Sequence, residues 1–85
     1  MSDELKILKK KLLYRASYRG TKEMDILMTN FVKKHINSLD LKNLKDLETF
    51  LKLDDEVILE FYNSGNKDKR IENNLISEIF GNFKL

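Results

Sequence analysis

The sequence has no cysteine and no proline, only three glycines and a single histidine. The lack of cysteine excludes disulfides, thiolate metal sites and a cysteine nucleophile, and it fits a reducing compartment. No apolar run approaches the roughly 18 residues that a membrane-spanning helix needs. The glycines, Gly20, Gly65 and Gly81, lie too far apart in the sequence to form a phosphate-binding loop. These absences leave little material for a membrane protein, a disulfide-stabilised protein or an enzyme.

The residues that are present are typical of a small folded protein. Of the 85 residues, 41% are hydrophobic and 35% are charged, a balance found in globular domains rather than in disordered chains. At this length we predict a single domain over residues 1–85 with one modest core.

Apolar residues recur at helical spacing almost throughout the chain, and the alternation typical of strands is missing. This pattern predicts an all-α protein, a compact bundle of about five short helices. We expect helices over Asp3–Ser17 and Thr21–Asn37, a third after the N-cap Asp40, a fourth between the N-cap Asp54 and Gly65, and a last over Asp68–Phe80. The second is the best patterned, and its predicted buried residues are Met24, Leu27, Met28, Phe31 and Val32.

The stretch YRGTKE, from Tyr18 to Glu23, interrupts the helical pattern. Helix chemistry offers one explanation, in which Arg19 favours the negative end of the first helix and Gly20 takes the left-handed conformation that ends it. Glu23 would then reach back to the backbone amide of Gly20, if Gly20 is the N-cap of the second helix. A binding surface is the alternative explanation, and the pattern alone leaves both open.

Basic residues are concentrated near the start of the chain. Residues 1–22 hold seven basic and two acidic side chains, a net charge of +5, while the remaining residues carry −3. Lys9 to Lys11, with Lys6 and Arg15, are the candidates for contact with nucleic acid phosphates. Adjacent residues point in different directions around a helix, which favours an ordinary solvated surface. A helix-turn-helix module stays an alternative, although no helix carries the side chains of a recognition helix near its start.

No catalytic or metal-binding constellation is visible in the sequence. The only histidine, His35, lies near the apolar side of the second predicted helix, where a structural role is favoured. The acidic run from Asp54 to Glu56 is explained by an N-cap followed by acidic residues in the first turn of a helix, without a metal. We therefore expect a protein that is not an enzyme and that binds no metal, and composition alone suggests an interaction module.

Several neighbouring stretches carry a resemblance to a known family. Arg19, Gly20 and Glu23 form an Arg-Gly-x-x-Glu motif, preceded by Leu13-Tyr14-Arg15 and followed by Asp25-Ile26-Leu27. An Asp-Asp pair opens the fourth predicted helix. From Leu12 to Gly65 the chain resembles the succinate dehydrogenase assembly factors, the flavinylation factors also called SdhE.

The chain departs from that family at three positions. Many members have a second arginine where Tyr18 stands, proline where Glu56 stands and tryptophan where Phe61 stands. The first difference removes one charge from the expected contact face. The other two affect capping and packing more than binding.

The resemblance implies a partner protein rather than a catalyst. Family members bind the flavoprotein subunit of succinate dehydrogenase, and in some bacteria that of fumarate reductase, and promote covalent attachment of FAD to a histidine of that subunit. This chain would then need no cofactor of its own and would act on the FAD of its partner. We further expect a free monomer without nucleic acid binding or membrane insertion, located in a bacterial cytoplasm rather than a mitochondrial matrix.

By the same resemblance, the residues that bind the partner lie at the junction between the first two helices. We hypothesise that the turn at Gly20 presents Arg19 and Glu23 on one exposed edge, where Arg19 makes charge-assisted hydrogen bonds to the partner. The basic first helix would supply the surrounding contacts. The full predicted partner-binding set is Tyr14, Arg15, Tyr18, Arg19, Gly20, Glu23 and Asp25.

Overall fold

A computed structural model describes the backbone of residues 2–85 and the side chains of residues 3–85. Within that range the elements are α1 (Ser2–Ser17), α2 (Lys22–His35), a short 3₁₀ turn (Ile36–Ser38), α3 (Leu41–Leu51), α4 (Asp55–Ser64) and α5 (Leu75–Gly81). No strand occurs among the described residues, which confirms the predicted all-α fold. In the same range, no helix is both long and apolar enough to cross a membrane.

Polar caps and one glycine set most of the helix ends. The side chain of Asp40 accepts a hydrogen bond from the backbone N–H of Asn43 at 2.9 Å, so the predicted N-cap of α3 is confirmed. Gly65, at φ +79°, takes the left-handed conformation that ends α4, also as predicted. Asp54 lies at the N-cap position of α4, but its side chain makes no capping hydrogen bond.

The second helix ends two residues before its predicted end at Asn37. After His35 the chain tightens into the 3₁₀ turn, where the hydroxyl of Ser38 donates to the carbonyl of His35 at 2.8 Å. Asn and Ser compete for backbone hydrogen bonds in this way and favour helix ends over helix interiors.

The predicted start of the last helix at Asp68 is wrong, because α5 begins at Leu75. The Asp68 carboxylate accepts hydrogen bonds from the backbone and side chain of Arg70, which form a local turn and hold the pKa of Asp68 at about 2. The N-cap of α5 is Asn74, whose side-chain oxygen accepts from the N–H of Ser77 while the Ser77 hydroxyl accepts from the N–H of Asn74. This reciprocal pair satisfies two amides that a helix start leaves unbonded.

The core lies where all five helices meet. Helix α1 packs on α2 and α3, and α5 packs on α3 and α4. The five residues predicted to be buried on α2 are all buried, as are Leu12 and Ala16 of α1. The aromatic ring of Phe80 lies near the centre of this core, 4.9 Å from the ring centroid of Phe31 and 5.1 Å from that of Phe50. The packing brings the α1–α2 turn beside the junction of α3 and α4.

Candidate functional site

The turn between α1 and α2 is built by short-range hydrogen bonds. Helix α1 ends at Ser17, and Gly20 follows at φ +130°, a conformation that residues with a Cβ rarely adopt. The hydroxyl of Thr21 then caps α2 by accepting from the N–H of Met24 at 3.2 Å. The Asp25 carboxylate accepts from the backbone N–H of Arg19, so a residue of α2 holds the turn from one side.

The predicted capping arrangement at this turn is wrong in one detail. The N-cap is Thr21 rather than Gly20, which shifts the position for a reciprocal cap from Glu23 to Met24. Glu23 is exposed, and its side chain makes no hydrogen bond to the described residues. The carboxylate therefore lies at the surface beside the turn.

The side chain of Arg19 points into the protein, with only 8% of it exposed. Its Nε donates to Asp55 Oδ1 at 2.9 Å, and its Nη2 donates to the carbonyl of Leu53 at 2.8 Å. Its Nη1 donates to the carbonyl of Leu51. The expectation that Arg19 stands on an exposed edge is therefore wrong, because the guanidinium is bonded to the α3–α4 junction.

The α3–α4 junction suits a buried cation for two reasons. Leu51 is the last residue of α3, and the final carbonyls of a helix lack partners inside the helix and carry partial negative charge. Asp55 is the first residue of α4, and its carboxylate adds a full negative charge. A planar guanidinium has donors in several directions at once, so a single arginine can satisfy all three acceptors.

Two tyrosines form the most exposed aromatic surface next to the turn. Tyr14 is 66% exposed and Tyr18 is 70% exposed. Tyr14 lies in the last turn of α1, and Tyr18 directly follows that helix. Their ring centroids are 4.6 Å apart and the ring planes are tilted by 44°, so the two rings pack against each other. Exposed aromatic pairs of this kind offer a large apolar area with hydroxyl groups, which suits a protein interface.

Arg15 and Lys11 face α3. Arg15 Nη1 lies 3.5 Å from Glu48 Oε2, and Lys11 Nζ lies 3.6 Å from the same oxygen. Ion pairs at this exposure contribute only about 0–1 kcal/mol, so both side chains can still turn toward a partner. The shared carboxylate nevertheless offsets part of the positive charge on which the nucleic acid alternative depends. That alternative stays an untested prediction.

His35 is packed against aromatic rings. Its ring centroid lies 5.2 Å from that of Phe31 and 6.4 Å from that of Phe83. Burial, with a smaller contribution from the charge of Lys34, lowers the pKa of His35 below its ordinary value of 6.5. Within residues 3–85, no three histidine or acidic side chains converge on a point that could hold a metal ion.

Sequence reasoning missed Asp55 as a member of the site. The Asp-Asp pair was assigned to capping and helix-dipole roles, and 36 residues separate Asp55 from Arg19 in the sequence. One signal was available, because only one aspartate of a pair can occupy the N-cap, which leaves the other free for a cation. The carbonyls of Leu51 and Leu53 leave no such signal in the sequence.

The fold and the turn together define a small all-α protein with an Arg-Gly-x-x-Glu motif at its first helix junction. The model of the Sdh5 family, described as "Flavinator of succinate dehydrogenase", matches residues 10–82. The chain belongs to this family, which confirms the resemblance noted in the sequence.

The "FAD assembly factor SdhE" of Acetobacter pasteurianus (strain NBRC 105184 / IFO 3283-01) is similar to this chain, with 32% identity over 59 residues. The alignment covers 69% of this chain and 54% of that protein, so the chain spans about half the length of the curated relative it matches. No solved structure matches the chain.

Proposed function

We propose that this protein is an assembly factor that binds the flavoprotein subunit of succinate dehydrogenase and promotes covalent attachment of FAD to it. The observation that carries the proposal is the family match over residues 10–82, which includes the whole motif turn. The flavin chemistry belongs to the flavoprotein in this proposal. The small bundle holds the immature subunit in a conformation where bound FAD and the attachment histidine meet, which is a positioning effect rather than catalysis.

The same proposal specifies the cofactor and the partners of the protein. The protein holds no cofactor of its own and acts on the FAD of its partner. The flavoprotein of fumarate reductase is a second partner with the same chemistry. The protein acts as a monomer in a bacterial cytoplasm, and it leaves before the remaining subunits assemble.

The contact surface in this proposal is the exposed side of the α1–α2 turn. It comprises the paired, tilted rings of Tyr14 and Tyr18, the exposed backbone at Gly20 and the exposed carboxylate of Glu23. Aromatic side chains often dominate the binding energy of interfaces, and a glycine lets a partner approach the backbone closely. Arg15 borders this surface. The Asp25 carboxylate stabilises it by accepting a hydrogen bond from the backbone N–H of Arg19.

The test is co-expression with a cognate flavoprotein subunit in a host that lacks its own factor, with covalent flavin read by in-gel fluorescence. Wild-type protein is expected to raise covalent flavin. Tyr18→Ala is expected to lower covalent flavin, because a tyrosine buried in an interface typically contributes over about 1 kcal/mol and its loss weakens subunit binding by about fivefold or more. Glu23→Gln is expected to lower flavinylation if its charge accepts a partner donor.

Matched controls separate contact from folding in that experiment. Glu72 is an exposed glutamate in the loop before α5, away from the motif turn, so Glu72→Gln should retain wild-type flavinylation. Every variant is first checked for an unchanged circular dichroism spectrum and melting curve. Covalent flavin that never depends on the wild-type protein would overturn the proposed function.

A further inference from the structure

Every side-chain nitrogen of Arg19 donates a hydrogen bond within its own chain. Three of its side-chain nitrogens reach three acceptors, which lie at the end of α3, in the α3–α4 connection and at the start of α4. Its backbone amide is bonded to Asp25 at the start of α2. A residue that contacts a partner directly needs free donors at the surface, and this side chain is 92% covered, with 8% exposed.

We propose that Arg19 and Asp55 form a latch that positions the α1–α2 turn, and that Asp55 is thereby a functional residue of this protein. The presence of the latch is argued from the geometry alone. Its effect on partner binding rests on the proposed function. Arg19 acts through the surface it organises, made of Tyr18, Gly20 and Glu23, and not by touching the partner.

The position of Gly20 supports the latch independently of the arginine. A Cβ built on Gly20 would lie 3.8 Å from Asp55 Oδ2, so the backbone of the turn passes close beside the same carboxylate. Asp55 thus meets the turn twice, once through the guanidinium and once by direct proximity to Gly20. Together with Asp25, it holds the turn between two carboxylates from different helices.

A turn that is already fixed favours binding, because complex formation has to order any flexible loop in the interface. Immobilising an interface loop costs free energy, so a surface already fixed in its bound conformation binds more tightly with the same contacts. Without the latch, the turn would keep Tyr18 and Glu23 but lose their fixed relation to Tyr14 and to α4. The loss would appear in affinity for the flavoprotein even at temperatures where every variant is fully folded.

The first experiment uses the free protein and needs no partner. In ¹⁵N-labelled protein, the Nε–H resonance of Arg19, assigned by its absence in Arg19→Lys, is expected to exchange slowly with solvent. Asp55→Asn keeps the side-chain shape and one acceptor, so it should fold, but it should shift this resonance and speed its exchange. Asp54→Asn is the matched control and should change neither, because the neighbouring Asp54 side chain makes no bond to Arg19 or to its own helix. An unchanged resonance in Asp55→Asn overturns the latch.

The second experiment measures affinity for the isolated flavoprotein subunit. Asp55→Ala is expected to weaken binding by about tenfold, the effect of losing one charge-assisted hydrogen bond that organises a surface, and Arg19→Ala, which removes all three bonds, by at least as much. The double variant should bind no more weakly than the weaker single variant, because both changes open one latch. Arg19→Lys should fail to restore binding, since one ammonium group cannot reach three separated acceptors.

If Arg19 instead contacts the partner directly, the opposite results are expected. Asp55→Ala would then leave affinity unchanged or raise it, Arg19→Lys would retain part of the binding, and the losses would be independent. A folded Asp55→Asn protein with wild-type affinity also overturns the proposal. If even the wild-type protein does not bind the subunit, the proposed function fails, while the resonance of Arg19 still decides whether the latch exists.

Discussion

At the scale of single residues, Arg19 is stabilised only as long as its acceptors are present. A buried cation loses its hydration, and the loss is offset here by one carboxylate, by the carbonyl at the end of α3 and by one carbonyl of the α3–α4 connection. Removing Asp55 alone leaves the guanidinium covered and short of its counter-charge, which costs more than removing both partners together. The non-additive affinity expected for the double variant therefore has a counterpart in stability.

His35 gives a prediction for pH at the same scale. Its folded pKa is lowered, so the unfolded chain binds the histidine proton more readily as pH falls through 6.5. The stability that neutral His35 contributes is thus complete above that pH and is lost as pH drops toward the lower, folded pKa. We expect the melting temperature to fall between pH 7.5 and pH 5.5, measured by circular dichroism.

The comparison variant for this prediction is His35→Gln, which keeps a polar side chain but cannot titrate. Its melting temperature should vary less over the same pH interval than that of the wild-type protein. The charge of Lys34 is the smaller cause of the lowered pKa of His35, after burial, so high salt should weaken only that contribution. Equal pH dependence in both proteins would show that His35 does not control it.

At the scale of helices, sequence patterns located those elements whose ends carry strong local signals. Asp40 and Gly65 marked their helix ends correctly, because each acts through its own side chain or backbone conformation. Helix α5 was placed seven residues early, since Ile71 is buried at helical spacing from the true helix without being part of it. A buried residue in an irregular loop cannot be distinguished from a helical one by periodicity.

The candidate site was predictable to a similar degree. The motif and its place at the α1–α2 junction follow from local sequence, as does the positive φ of Gly20. The direction of the Arg19 side chain does not follow, because it depends on acceptors 32 to 36 residues away. Only the packing of α3 and α4 against the turn brings those acceptors within reach.

The start of α5 supports a prediction of its own. Asn74→Ala removes the cap that accepts from Ser77, and the expected cost is about 1 kcal/mol of unfolding free energy. Asn73→Ala changes the adjacent exposed asparagine and should cost under about 0.5 kcal/mol. Urea unfolding followed by circular dichroism measures both. Equal losses would mean that the cap does not stabilise this short helix.

At the scale of the whole molecule, one aromatic cluster connects most of the elements. Phe80 of α5 lies within 5.8 Å, centroid to centroid, of Phe31 from α2, Phe50 from α3 and Phe61 from α4. Phe83 after α5 packs on the ring of Phe31 at 5.3 Å. The packing of α2, α3, α4 and α5 against one another therefore depends on the volume of the Phe80 side chain. Helix α1 joins the core through Leu12 and Ala16.

Phe80→Ala is accordingly expected to cost about 3–5 kcal/mol, because the cavity it leaves is bordered by rings that cannot all relax into it. A chain of 85 residues has a total stability of roughly 4–13 kcal/mol, so the variant should lose a large share of it. Ile7→Ala removes an exposed side chain and should change stability by under about 0.5 kcal/mol. Urea unfolding of both variants tests this, and a Phe80→Ala protein nearly as stable as Ile7→Ala would show that the aromatic cluster does not hold the helices together. Because the latch between Arg19 and Asp55 needs α3 and α4 to keep their positions, a large loss of stability in Phe80→Ala should also speed solvent exchange at the Arg19 Nε–H.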